Sequence, residues 1–302
     1  MVLSFFALFF FPKETISQEI KIFKVEDFDL VGKVKSCLIS TDYGKEEYEF
    51  NKKGLLTKSV TRYNDEDYDI TYYKYSRGNL TEKRFENYRD NIFDNATSIA
   101  NFYTIDSTSS LKITEKIVSY NKDFLDQYEY FFKTDTLVKV IRSNNDGIDE
   151  TLISYTIIKG ETTKSYELNG VIEKSERISV KMENDSVLET NKLAKKFIDG
   201  EPNSAVEEVF NGRNKLIMNT KYFFDKKTKQ FAAQTITKYA YDEQGLLLSS
   251  NTTQDNTVVE KEYVYQFDVH DNWIKEIITP DNAYKSRKIT YYEIAELKVN
   301  EK

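Results

Sequence analysis

A chain of 302 residues carrying 50 acidic against 43 basic side chains has a net charge of −7, which excludes the basic field that nucleic-acid binding requires. Three prolines and well-mixed charge exclude long disordered linkers, and 22 Tyr with 20 Phe favour strands over helices. A single Cys and a single His exclude a disulfide within the chain and leave too few ligands for a zinc centre.

Val2 to Phe11 is an almost unbroken apolar run. A helix needs about 20 residues to cross a bilayer, so the run is too short to span one and reads as a secretory h-region, with cleavage after Ser17. Residues 1–17 are therefore expected to be a signal peptide. The mature chain is expected in the periplasm, on the cell surface or outside the cell, with no transmembrane span after signal cleavage. Residues 20–42 read as two strands, one beginning at Ile20 and one running from Val34 to Ser40, with Cys37 as a buried, inert thiol. Residues 46–63 and 70–86 read as hairpins around Gly54 and Gly78. Asn87 to Ser110 is polar and irregular and reads as a longer loop. Weaker hairpin copies follow, with turns at Asn144-Asn-Asp146-Gly147 and Asn169-Gly170.

One stretch breaks the β pattern. Leu193, Ala194, Phe197 and Ile198 fall on one helical face, Gly200 and Pro202 supply a stop, and Ser204-Ala-Val-Glu207 matches a capping box. Two short helices are predicted. The chain then divides into the signal segment 1–17, an N-terminal β-hairpin region 18–188, a helical insertion 189–212 and a C-terminal β-hairpin region 213–302.

The organising motif is aromatic, any residue, aromatic, then a turn: Tyr48-Glu-Phe50 before Gly54, Tyr73-Lys-Tyr75 before Gly78, Tyr239-Ala-Tyr241-Asp242 before Gly245, and Tyr263-Val-Tyr265 before Asp271-Asn272-Trp273. Residues two apart in a strand share a face. The motif thus predicts antiparallel hairpins in series, forming an all-β, extended twisted repeat sheet with a short helical insertion near 189–211. Asp271 stands where a Gly would serve the turn, and Asp tolerates the left-handed backbone.

Tyr239-Ala-Tyr241-Asp242-Glu-Gln-Gly245-Leu246 resembles the YD repeat of the RHS family, and residues 263–273 resemble its variant ending in Asn-Trp. Arg287 to Tyr292 is similar to the strand that usually follows. The resemblance implies a short exported YD-repeat protein of Bacteroidetes type, built from hairpins laid side by side.

Chemistry is sparse. His270 lies among Asp268, Asp271 and Asn272, where turn formation explains the polar residues. Asp65-Glu-Asp67-Tyr-Asp69 alternates carboxylates but lacks the Gly and the closing Glu of a calcium loop. No Gly-x-Ser-x-Gly and no phosphate-cradling loop is present. No cofactor or metal is expected. The aromatic surplus points instead to binding, since Tyr and Trp faces stack on sugars and anchor interfaces. Trp273, Tyr291 and Tyr292 are the candidate ligand-binding residues, and a glycan or an envelope protein is the expected partner. The expected function is a non-enzymatic envelope or secreted module. A carbohydrate-active enzyme using two carboxylates and an exported immunity-like protein are the rival readings.

Overall fold

The structure, a computed structural model, describes residues 20–183, 186–255 and 257–293; the expected signal segment 1–17 lies outside them. Twenty strands follow in chain order among the described residues. The first seven are β1 (Val34–Thr41), β2 (Gly44–Phe50), β3 (Leu56–Arg62), β4 (Tyr68–Ser76), β5 (Asn79–Arg89), β6 (Ile92–Asp106) and β7 (Lys112–Ser119). The next seven are β8 (Phe124–Lys133), β9 (Thr136–Asn144), β10 (Gly147–Ile158), β11 (Glu161–Leu168), β12 (Val171–Glu183), β13 (Ser186–Ile198) and β14 (Glu201–Asn211). The last six are β15 (Leu216–Asp225), β16 (Gln230–Tyr241), β17 (Leu247–Gln254), β18 (Thr257–Phe267), β19 (Trp273–Thr279) and β20 (Ala283–Tyr291). Each strand pairs antiparallel with the next, as serial hairpins require.

The sheet closes. β20 pairs with β1 in the register Cys37↔Ile289 and Ile39↔Arg287, so the fold is a twenty-stranded antiparallel barrel rather than an extended open repeat sheet. Closure satisfies the two edges that an open sheet would leave unpaired. It also corrects the YD-repeat reading: the hairpins are present, but they form one ring and not a running shell.

The predicted helical insertion 189–212 is also corrected, because it is the hairpin β13–β14. Leu193 pairs with Glu207 and with Arg177, so the ladder runs unbroken through this stretch. Pairing on both sides outweighs a local helical pattern that offers only one short apolar stripe. Gly200, read as a helix stop, is the turn residue at φ +79°, and Pro202 sits at a register shift opposite Phe197, where a missing N–H is tolerated. Glu207, read as a cap, accepts from Asn191 Nδ2 and Tyr222 Oη, both at 2.6 Å. Similarly, the expected loop 87–110 contains the long strand β6, polar yet paired on both sides.

The motif fixes the turns. Asn51, Asn211, Asp242 and Asp268 each accept, through side-chain Oδ1, the backbone N–H groups two and four residues ahead, at 2.8–3.1 Å. The residue three ahead is left-handed in each: Gly54 (φ +77°), Asn214 (+58°), Gly245 (+85°) and Asp271 (+62°). A register shift precedes each turn, pairing Phe50 with Leu56, Phe210 with Leu216, Tyr241 with Leu247 and Phe267 with Trp273. All four turns join an even strand to the next odd one, so they lie on the same rim.

Residues 20–31 do not form the expected first strand. They make a strap across this rim, with one 3-10 turn at Val25–Phe28. Backbone bonds join Val25 N to the Gly54 carbonyl and Leu56 N to the Phe23 carbonyl, both at 3.0 Å. Val25 and Leu30 of the strap pack with Val34, Cys37, Phe50 and Leu56 into the larger core cluster.

Candidate functional site: the strapped interior

Strand alternation assigns every aromatic pair of the motif to the face that carries Cys37. Cys37 pairs with Tyr48, and Tyr48 with Ser59; Phe28 of the strap meets Tyr48 and Phe50 at ring distances of 4.4 and 5.4 Å, and Phe23 meets Tyr73 at 6.1 Å. This face is concave. Thr61 of β3 and Tyr241 of β16 line one cleft of about 500 Å³, although β2, β1, β20, β19, β18 and β17 lie between them in the ring. The cleft extends from Lys215 and Leu246 at the strapped rim to Tyr43 and Tyr63 at the opposite one.

The outward face is different in kind. Directly or diagonally paired charges cross it, Lys58–Glu49 at 3.0 Å, Arg62–Glu47 at 2.7 Å, Lys74–Glu82 at 2.8 Å and Lys112–Glu129 at 3.0 Å, and Arg84 joins Glu82 of its own strand at 2.8 Å. Several of these side chains lie at mid-strand, where a barrel in lipid carries an apolar band.

At the centre of the cleft Arg287 lies over Trp273, guanidinium carbon 3.5 Å from the ring centroid, a cation–π arrangement. Its Nη2 donates to the Phe28 carbonyl at 2.9 Å and its Nη1 to the Asp29 carbonyl at 3.2 Å, so β20 grips the strap. Burial lowers its pKa, partly opposed by Cys37, Asp29 and Glu276 nearby. Its Nε is buried without an acceptor, and among the described residues no carboxylate lies within ion-pair distance of it. Glu276 is 7 % exposed and stands 3.0 Å from Lys285 Nζ. Glu46 accepts the Tyr48 hydroxyl at 2.5 Å. Tyr265 is raised by burial and by Glu276, and Tyr241 by burial.

The three sequence candidates separate. Trp273 lines the cleft and is 8 % exposed; one of its faces is taken by Arg287. Tyr291 donates to the Asp268 carboxylate and accepts from Asn272 Nδ2, burial and Asp268 pushing it up to about 12. Tyr292 donates to the Phe50 carbonyl at 2.6 Å. Both tyrosines therefore hold the rim. Asn272, 1 % exposed, accepts from Val31 N at 2.7 Å and donates to Val31 O at 2.9 Å, tying the far end of the strap. The His270 ring packs against Tyr291 at the turn, centroids 4.1 Å apart and planes tilted by 47°. Among the described residues no cluster of His, Cys, Asp or Glu is arranged to hold a metal.

Arg287, Lys285, Glu276, Tyr241, Tyr265 and the strap's Asp29 were missed as site residues. Arg287 left one trace: it is the charged member of the alternation Arg287-x-Ile289-x-Tyr291, whose other members point inward.

A second inward cluster lies across the barrel. Glu115, 3 % exposed, accepts from Asn101 Nδ2 at 2.6 Å, Tyr103 Oη at 2.8 Å and Tyr130 Oη at 2.7 Å, which compensates its burial. This is a fully bonded structural carboxylate.

No protein-family model matches the chain, and no curated protein matches it. Among solved structures it aligns with a porin-like protein from Bacteroides uniformis ATCC 8492, at 10 % identity over 85 % of this chain and 98 % of that one, TM-score 0.33. It also aligns with a porin-like protein from Bacteroides vulgatus ATCC 8482, at 9 % identity over 86 % and 99 %, TM-score 0.27. Superpositions this loose carry no argument about activity.

Proposed function

We propose that this chain is an exported, non-enzymatic β-barrel module of the cell envelope that binds glycan in its interior cleft. The observation carrying the reading is the cleft itself. Tyr241, Tyr265 and Trp273 provide aromatic walls, and Glu46, Glu276, Lys285 and Arg287 provide hydrogen-bonding groups between them. Sugar recognition combines these two elements, an apolar ring face for C–H surfaces and converging polar groups for hydroxyls. The apolar run Val2 to Phe11 supports export. The paired charges on the outward face support a barrel surrounded by water, because a Lys or Arg turned to the lipid midplane costs about 2–4 kcal/mol.

The test is a glycan-array screen of the purified protein together with fractionation of cells that express it. The expected result is a saccharide hit and the protein in a soluble envelope or secreted fraction. Extraction only with detergent would reject the water-surrounded barrel, and turnover of a bound saccharide would favour the enzyme reading.

A further inference from the structure

We infer that the rim opposite the strap is an interface between two copies of this chain, set face to face about a two-fold axis. The turns on this rim join each odd strand to the next even one. From the β5–β6 turn to the β13–β14 turn, every one of them carries a large apolar side chain in water: Ile92, Tyr120, Ile148, Val171 and Ile198 in succession. Ile92 and Ile148 are 70 and 74 % exposed. Large apolar groups held open along one continuous arc mark a contact surface.

The charges at the two ends of that arc identify the occupant. Immediately before it stands the β3–β4 turn, with Asp65, Glu66 and Asp67, and immediately after it the β15–β16 turn, with Lys226, Lys227 and Lys229. Among the described residues, the β15–β16 turn alone on this rim is net basic. Asp67 is engaged within its own chain, accepting from Asn64 Nδ2 and Asp90 N. Asp65, Glu66 and the three lysines form no ion pair among the described residues, so neither end is neutralised by its own ring.

A strip that runs acid, apolar, base is complementary to itself when turned end for end. A two-fold axis near Ile148 sets the acidic turn of each copy against the basic turn of the other, and it sets Ile92 facing Ile198 and Tyr120 facing Val171. This is the isologous arrangement, in which each half of the contact repeats the other. Asp90, Asp146 and Asp199 on the same arc disfavour an anionic lipid surface as the occupant. A purely basic partner would leave the lysine turn opposed by like charge.

Gel filtration with light scattering on the purified protein tests this, and the mass of two chains is expected. Two charge reversals, Lys226→Glu with Lys227→Glu and Asp65→Lys with Glu66→Lys, leave like charges opposed at both ends. Each should raise the dissociation constant at least about tenfold. Mixed in equal amounts, the two variants should recover a heterodimer, because both ends are then again opposite in sign. Ile148→Asp should weaken the wild-type dimer by a similar factor, since it sets two carboxylates together at the axis. All the substituted side chains are exposed, and circular dichroism checks that each variant is folded. A wild-type protein that stays monomeric would overturn the inference. So would a dimer indifferent to both reversals, or a folded mixture that remains as weak as its components.

Discussion

The two faces of this barrel wall differ in the side chains they carry and in what those side chains meet. The inward face collects the aromatic pairs, Tyr48 with Phe50, Tyr73 with Tyr75, Tyr239 with Tyr241 and Tyr263 with Tyr265, and it alone meets the strap. The outward face carries Lys–Glu and Arg–Glu pairs. Both faces contain charge, but the contexts differ. Inward, Arg287 and Glu115 are held by several hydrogen bonds each; outward, Lys58 and Glu49 have each other and solvent. The comparison teaches that the strap, together with the motif aromatics, supplies what a ring this large cannot obtain from wall contacts alone: a packed interior on one side of the barrel.

The sharpest way to break the comparison is at the strap's seat. Leu56→Ala removes a fully buried side chain from the cluster with Val25 and Leu30, and a loss of about 2–5 kcal/mol is expected in denaturant unfolding. A loss below the exposed-site range would mean that the strap does not stabilise the barrel. Asn272→Ala should follow, at about 2–3 kcal/mol, because both backbone groups of Val31 lose their partner. Its added signature is faster amide exchange at Val31 while the β7–β9 wall stays protected.

Alkaline pH tests the inward face as a whole. Burial raises Tyr73, Tyr128, Tyr239 and Tyr241, and raises Tyr75 to about 12, from 10.0. A tyrosine whose folded pKa exceeds its unfolded one contributes its full stabilisation below pH 10 and loses it as pH climbs toward the folded value. Stability should therefore fall between about pH 10 and 12, with tyrosinate absorbance and loss of β circular dichroism rising together. Tyrosine ionisation that precedes unfolding would show these rings to be open to water. The smallest effect belongs outside: Lys58→Ala should cost at most about 1 kcal/mol, and a larger cost would mean that the outward pairs carry the ring.

Much of the wall was legible before any coordinates. Asp242 and Asp268 were recognisable as turn formers, and Asp271 as a left-handed stand-in for Gly, because these features depend on backbone geometry within five residues. The aromatic alternation was legible as a shared face for the same reason. The helical stripe at Leu193, Ala194, Phe197 and Ile198 misled because a four-residue apolar pattern says nothing about ladder partners on β12 and β14. The cleft's lining was hardly legible: Trp273 had been singled out and Arg287 had not, while Tyr291 and Tyr292 make their hydroxyl bonds at the rim.

Local chemistry along the chain was enough to specify hairpins, their turns and which side chains share a face, since each depends on neighbours a few residues away. Closure of β20 onto β1, the strap's passage across the rim and the meeting of Asp29, Lys215 and Arg287 were decided only in three dimensions. Those contacts join residues up to 259 apart in the chain. Their existence follows from the accumulated twist and curvature of twenty strands, a property no single segment contains.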